Sequence, residues 1–164
     1  MRITIRPAIR DDAARILDLI RGLAAYENLA HECVATEQAL LESLFGERPA
    51  AEVVIAEADG ETAGFALFFS NYSTFLARPG LYLEDLFVYP ALRGHGIGRR
   101  LIQHLAQIAV TRGYGRFEWS VLDWNEPAIR FYRSLGAVPM NGWTVQRVSG
   151  AALVRLATES PVEG

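Results

Sequence analysis

The spacing of apolar residues changes period several times along the chain, and each change marks an element. Ile3 and Ile5 alternate with polar neighbours, so residues 2 to 6 read as a strand. Asp11 and Asp12 can then cap a helix on which Ala13, Ile16, Leu17, Ile20, Leu23 and Ala24 recur at helical spacing, ending near Tyr26. A shorter helix is predicted from Thr36 to Phe45, stopped by Gly46 and Pro49. Val53-Val54-Ile55-Ala56 and Gly64-Phe65-Ala66-Leu67-Phe68-Phe69 flank Asp59-Gly60, a dipeptide suited to the positive φ angles of a tight turn, so an antiparallel pair is expected.

From Leu81 to Tyr89 the pattern is again a strand, and if it is regular Tyr82, Glu84, Leu86 and Val88 share one face. A glycine-rich turn from Arg93 to Gly98 leads into a helix with Ile97, Leu101, Leu105 and Ile108 on one side. Residues 115 to 121 form a further strand. Asn125 caps a short helix bearing Ala128, Phe131, Tyr132 and Leu135, which Gly136 ends. Two last strands are expected, at about 138 to 148 and 151 to 156, with a frayed tail from Thr158. The sum is a mixed sheet covered by helices, of α/β or α+β class. With no repeat, low-complexity tract or linker to divide it, one domain over 1–164 is predicted.

Composition narrows the class. With 164 residues and 51% apolar content, the chain can build a substantial core without disulfide staples. Sixteen basic against 19 acidic residues, a net charge of -3, argues against a nucleic-acid surface and leans toward cationic small molecules. Cys33 is the only cysteine, so an internal disulfide is impossible and zinc-type ligand spacing is absent. It is expected to be a free buried thiol. No metal is called for. The N-terminal residues lack the apolar stretch of a signal peptide and no later run is long enough to span a bilayer, so a cytoplasmic, membrane-free protein is expected.

Arg93-Gly94-His95-Gly96-Ile97-Gly98-Arg99-Arg100 puts three alternate glycines and three arginines where a strand hands over to a helix N-terminus. Glycines let successive N–H groups converge, and the helix dipole favours an anion there, so a pyrophosphate would fit. A Walker A loop is excluded because no Gly-Lys-Ser/Thr follows. The dinucleotide fingerprint is excluded because the spacing is G-x-G-x-G. The competing reading is a tight loop with solvated arginines.

The pattern R-x-x-G-x-G on a strand-to-helix turn, followed by an Asn-capped helix with a tyrosine, resembles the acetyl-CoA signature of the GNAT acetyltransferase superfamily. Arg93, Gly96 and Gly98 are the matching positions. The chain is more closely similar to the spermidine/spermine and thialysine N-acetyltransferases, through Tyr82-Leu83-Glu84-Asp85-Leu86-Phe87-Val88, through the glycine turn and through Trp124-Asn125-Glu126-Pro127-Ala128-Ile129-Arg130-Phe131-Tyr132. Leu23-Ala24-Ala25-Tyr26-Glu27 is a fainter echo. The resemblance implies a GNAT-like, mostly antiparallel central sheet flanked by helices, and acetyl-CoA as co-substrate. It implies that backbone groups of Leu86, Phe87 and Val88 pair with the pantetheine arm, that Arg93, Gly94, His95, Gly96, Ile97, Gly98 and Arg99 hold the pyrophosphate, and that Asn125, Glu126, Pro127 and Ala128 flank the cofactor. Dimers are common in this family, so a homodimer is expected by analogy.

An alkylammonium with a pKa of about 10.4 must lose a proton before it attacks a thioester, so a base is required. On a regular strand Glu84 stands among apolar neighbours, where its pKa should rise, and it matches the family's acidic residue; the competing reading is an ion pair with a nearby arginine. Asp85 points the other way and reads as structural. Tyr132 matches the family's proton donor to the leaving thiolate; without the resemblance it is one more residue of a buried stripe. An oxyanion donor is expected at a backbone N–H near Phe87. Tyr26 and Glu27 sit where the related enzymes bring aromatic and acidic groups to a small cationic amine, against the alternative of a solvated helix end. Glu118 and Trp119 are further wall candidates. The competing functions are acetylation of a protein N-terminus or lysine, and a non-catalytic acyl-CoA binding module.

Overall fold

The alternation at residues 2 to 6 becomes a strand, β1 (Ile3–Pro7), in the computed structural model of the protein, which describes residues 1–160. The chain is described in two compact units, Met1–Leu122 and Asp123–Gly164.

In the first unit β1 is followed by α1 (Ala13–Tyr26), α2 (Glu37–Phe45), β2 (Glu52–Ala58), β3 (Glu61–Ser73), β4 (Arg78–Val88), α3 (Ile97–Thr111) and β5 (Phe117–Trp119). Asp12 stands at the start of α1 but does not cap it through its side chain. Its carboxylate accepts instead from Arg6 at 2.8 and 3.0 Å, from Arg15 at 2.7 Å and from the Ile9 N–H at 2.8 Å, which ties β1 to the helix. Thr36 does cap α2, accepting from the Ala39 N–H. Asn28, at φ +59, ends the run of α1 just past Glu27.

The five strands lie in sequence order; β1 to β4 pair antiparallel and β5 joins β4 in parallel. Asp59 and Gly60 take φ +51 and +86 in the β2–β3 turn, as their types predict. One sheet face carries Val53, Ile55, Phe65 and Phe87 into a core with Ile16, Leu17 and Leu19 of α1 and Leu40 and Leu44 of α2. Ile97, Leu101 and Leu105 of α3 are fully buried on the other side. A mostly antiparallel sheet flanked by helices is therefore present, as expected.

Two irregularities of β4 determine which groups it offers to a ligand. Leu67 lies opposite Asp85 and Phe68 opposite Leu83, so Glu84 is an extra residue in a bulge. The bulge breaks the expected face: Tyr82 stands with Asp85 and Phe87, while Leu86 and Val88 stand with Leu83. Secondly, β5 pairs only with Leu81, Tyr82 and Leu83, so no strand pairs with the outer edge of β4 from Glu84 to Val88 among the described residues.

In the second unit Asn125 caps α4 (Glu126–Ser134), its side-chain oxygen accepting from the Ala128 N–H at 3.4 Å, and Gly136 at φ +91 follows the helix. The two last strands predicted here are absent. Residues 138 to 148 hold no regular element, and α5 (Gly150–Thr158) replaces the second. A short apolar run reads equally as strand or helix, and the good helix formers Ala151, Ala152, Leu153, Leu156 and Ala157 decide it. Thr158 is helical rather than frayed, and the end of the predicted tail, 161 to 164, lies outside the described residues. No described helix is long and apolar enough to cross a membrane.

Candidate active site

The glycine turn folds as its composition requires. Gly94 and Gly96 adopt φ +82 and +77, and a Cβ built on either meets nothing within 4 Å, so the concavity is open. Gly96 precedes α3 with no side chain to cap it, and the first helical bond inside runs from the Arg100 N–H to the Gly96 carbonyl. The N–H groups of Ile97, Gly98 and Arg99 thus lack intrahelical acceptors, at the positive end of a four-turn helix. These residues fit a diphosphate. Arg99 is exposed beside them, and the His95 ring lies against the carbonyls of Leu92 and Arg93 at 3.2 and 3.1 Å. The Arg93 Nε donates to the Val88 carbonyl at 3.0 Å and its guanidinium lies over the rings of Tyr26 and Phe87.

The open edge of β4 leads into this turn. The Tyr89 N–H donates to the Ala63 carbonyl of β3 at 2.9 Å. Backbone groups alternate in direction along a strand, so the Phe87 N–H also faces β3, while Leu86 and Val88 present theirs to the open edge. The Val88 carbonyl, taken by Arg93, agrees with this. Leu86 and Val88 therefore present their N–H groups to the open edge, on either side of Phe87.

The carboxylates sort differently from the regular-strand expectation. Glu84, in the bulge, is exposed. Asp85 is the desolvated group: burial, reinforced by the nearby charges of Glu84 and Glu27, pushes its carboxyl up to about 6. Burial also raises the Glu27 carboxyl. Three acidic groups on the end of α1 and on β4 thus converge, and the sequence reading, which assumed an unbroken period of two, put the desolvation on the wrong member. Phe69 and Tyr82, their tilted rings 5.2 Å apart between centroids, and Glu118 continue the same sheet face. Glu118 is held by Arg116 at 2.8 Å. Trp119 faces the other way, beside Leu83 in register and against the Phe117 ring. Cys33 is half-buried, not buried, and no described cluster of three or more His, Cys, Asp or Glu side chains could hold a metal ion.

Asn125, Glu126, Pro127, Ala128 and Tyr132 lie on α4 and its cap in the second unit, with the Tyr132 ring 5.6 Å from that of Phe131.

The first unit thus combines a mixed sheet, a strand edge that no described strand pairs and an open glycine turn at the following helix N-terminus, and the comparisons with known proteins place such a chain among the acyltransferases. The Acetyltransferase (GNAT) family model matches residues 21–137, and the chain belongs to that family. It is 38% identical to a thialysine N-epsilon-acetyltransferase of Mus musculus over 93% of this chain and 96% of that one. It is 34% identical to the human spermidine/spermine N(1)-acetyltransferase-like protein 1 over 94% of this chain and 24% of that much longer one. In structure it matches an integron cassette protein from the mobile metagenome of V. cholerae with a TM-score of 0.82 and 28% identity, over 97% of this chain and 99% of the other. The protein is a GNAT acetyltransferase, and the resemblance to the thialysine and spermidine/spermine enzymes is borne out.

Proposed function

We propose that the protein moves the acetyl group of acetyl-CoA to the primary amine of a small cationic acceptor of the polyamine, thialysine or lysine type. The observation that carries this reading is that one stretch of β4 combines an unpaired hydrogen-bonding edge with a desolvated carboxyl raised to about 6. Acetyl-CoA supplies the thioester carbonyl that the amine attacks directly, without an acyl-enzyme. Gly94 to Arg99 hold its diphosphate, and the edge N–H groups of Leu86 and Val88 hold its arm and face the oxygen that gains charge. Asn125 to Ala128 flank it, a role that rests on the family resemblance.

The acceptor's charge is met by Glu27 and the Tyr26 ring. Its proton passes to the Glu84–Asp85 pair. Glu84 matches the family's acidic residue and would act directly or through water; the desolvation that makes a carboxylate a good base at neutral pH supports Asp85 as the group that takes the proton. Tyr132 gives a proton to the leaving thiolate, again by resemblance. The same reading includes a cytoplasmic homodimer. Within the second unit Leu153, Val154 and Leu156 of α5 are each more than half exposed, apolar area that a second copy would cover.

The test is thiol release from acetyl-CoA with spermidine, spermine, thialysine, lysine and a lysine peptide. Turnover on a free amine, falling about 100-fold or more in Tyr132→Phe and in Asp85→Asn, is the expected result. Turnover on the peptide alone would move the acceptor to proteins. Tight acetyl-CoA binding with no acetylation of anything offered would leave a binding module. Sedimentation at micromolar concentration tests the dimer.

A further inference from the structure

We propose that the Arg93 side chain is a positioning residue for the acceptor end of the site, a clamp between β4 and the last residue of α1, and not a ligand of the cofactor's phosphates. Its place at the head of the glycine turn suggests a phosphate ligand. Its geometry points elsewhere. Nε donates to the Val88 carbonyl at 3.0 Å, on the open edge of β4. The guanidinium carbon lies 4.7 Å from the centre of the Tyr26 ring and 5.5 Å from that of Phe87. A guanidinium at such distances is attracted by the negative ring faces, and Arg favours this arrangement because its charge is planar and weakly hydrated.

One flat cation therefore touches three things at once: the main chain of the cofactor edge, a buried ring of the sheet and the ring that ends α1. Phe87 is 5% exposed and cannot move easily, whereas Tyr26 is 38% exposed and has solvent on one side. Of the two rings Tyr26 is the more exposed, so it is the one that loss of the Arg93 contact would release more. Tyr26 is followed directly by Glu27, whose carboxyl acts on Asp85. Holding the Tyr26 ring holds the end of the helix, and with it the distance between those two acids. The clamp also begins the turn that contains Gly94 and Gly96, so a single residue joins the anion cradle to the acceptor side. The functional consequence, on the reading that the acceptor is an amine, is that Arg93 sets amine affinity.

The experiment compares wild type with Arg93→Gln, Arg93→Lys, Tyr26→Leu and the Arg93→Gln/Tyr26→Leu pair. Titration calorimetry with coenzyme A and with pantetheine, which has no phosphates, separates a phosphate ligand from a clamp. The expected result is a rise in amine KM of about 3- to 30-fold in Arg93→Gln, with Kd for coenzyme A changed by less than about threefold. Arg93→Lys restores only part of the loss, because an ammonium cannot donate to Val88 and lie flat on two rings together. Tyr26→Leu reproduces the KM effect, and the pair is no worse than the worse single variant. A loss of coenzyme A affinity of about tenfold or more that spares pantetheine would overturn the proposal, as would full additivity of the two substitutions. Should wild type acetylate no amine, the amine reading fails by itself. The calorimetry and a double-substitution cycle on urea midpoints then still decide the clamp: coupled midpoints uphold it and additive ones overturn it.

Discussion

Asp85 and Glu84 are neighbours with opposite surroundings, and the difference comes from one extra residue. A regular strand would have put Glu84 on the inner face, where the sequence placed it; the bulge exposes it and leaves Asp85 opposite Leu67. If Asp85 receives the acceptor's proton, it must be ionised first, so kcat/KM should rise with pH through about 6, and Asp85→Asn should remove that limb along with most of the rate. Glu84→Gln should lower the apparent pKa of the limb, since the Glu84 charge helps hold the Asp85 proton. A profile flat from pH 5 to 8 in the wild type would argue against Asp85 as base. Bulges have no composition of their own, so neither the position of this one nor its effect on the acids was legible in the sequence.

At the scale of elements, what the sequence revealed was what depends on local chemistry. The helix start after Asn125, the Asp59-Gly60 turn, the helix beginning near Thr36 and the glycine turn all follow from φ preferences or capping groups that act within four residues. What it concealed depends on distant partners. The strands expected at 138 to 148 and 151 to 156 failed because an apolar run does not say what will pair with it. Gly22 was likewise silent: on α1, its built Cβ would stand 2.8 Å from the Phe87 ring, so the glycine lets helix and strand approach. Gly22→Ala is expected to cost about 1–3 kcal/mol by overpacking, read as a lower urea midpoint, and to weaken acetyl-CoA binding through displaced β4. In the turn, Gly96→Ala forces a non-glycine residue to φ +77, at about 1–2 kcal/mol, and should raise Kd for coenzyme A while sparing α3 as seen by circular dichroism. An unchanged Kd would mean that the cradle does not carry the diphosphate.

For the whole molecule, two desolvated carboxyls oppose each other in pH. Arg6 above all, then the Ile9 N–H and Arg15, holds Asp12 below the ordinary range. The stability it contributes is present above its unfolded pKa, near 4, and is lost as pH falls through the lower folded value. Asp85 has the reverse sign. Its folded carboxyl, at about 6 against 3.8, favours the protonated form, so the contribution of Asp85 is greatest below about 4 and is lost as pH rises through about 6. That shift corresponds to roughly 3 kcal/mol, an upper figure for what Asp85→Asn should gain at pH 8, with no gain at pH 4. Urea unfolding across this range measures both. Activity on the Asp85 reading climbs over the interval in which stability declines, the usual sign of a site kept at the expense of the scaffold.

The edge of β4 that no described strand pairs has a consequence outside catalysis. A strand edge without a neighbouring strand is a template on which another unfolding chain can add a strand, and proteins ordinarily shield such edges, as the Arg93 side chain here takes the Val88 carbonyl. On the proposed function the shield is the pantetheine arm of the acetyl donor. Shelf life should therefore track ligand supply: concentrated protein stripped of coenzyme A should develop turbidity and bind amyloid dyes sooner on gentle warming than protein stored saturated with it.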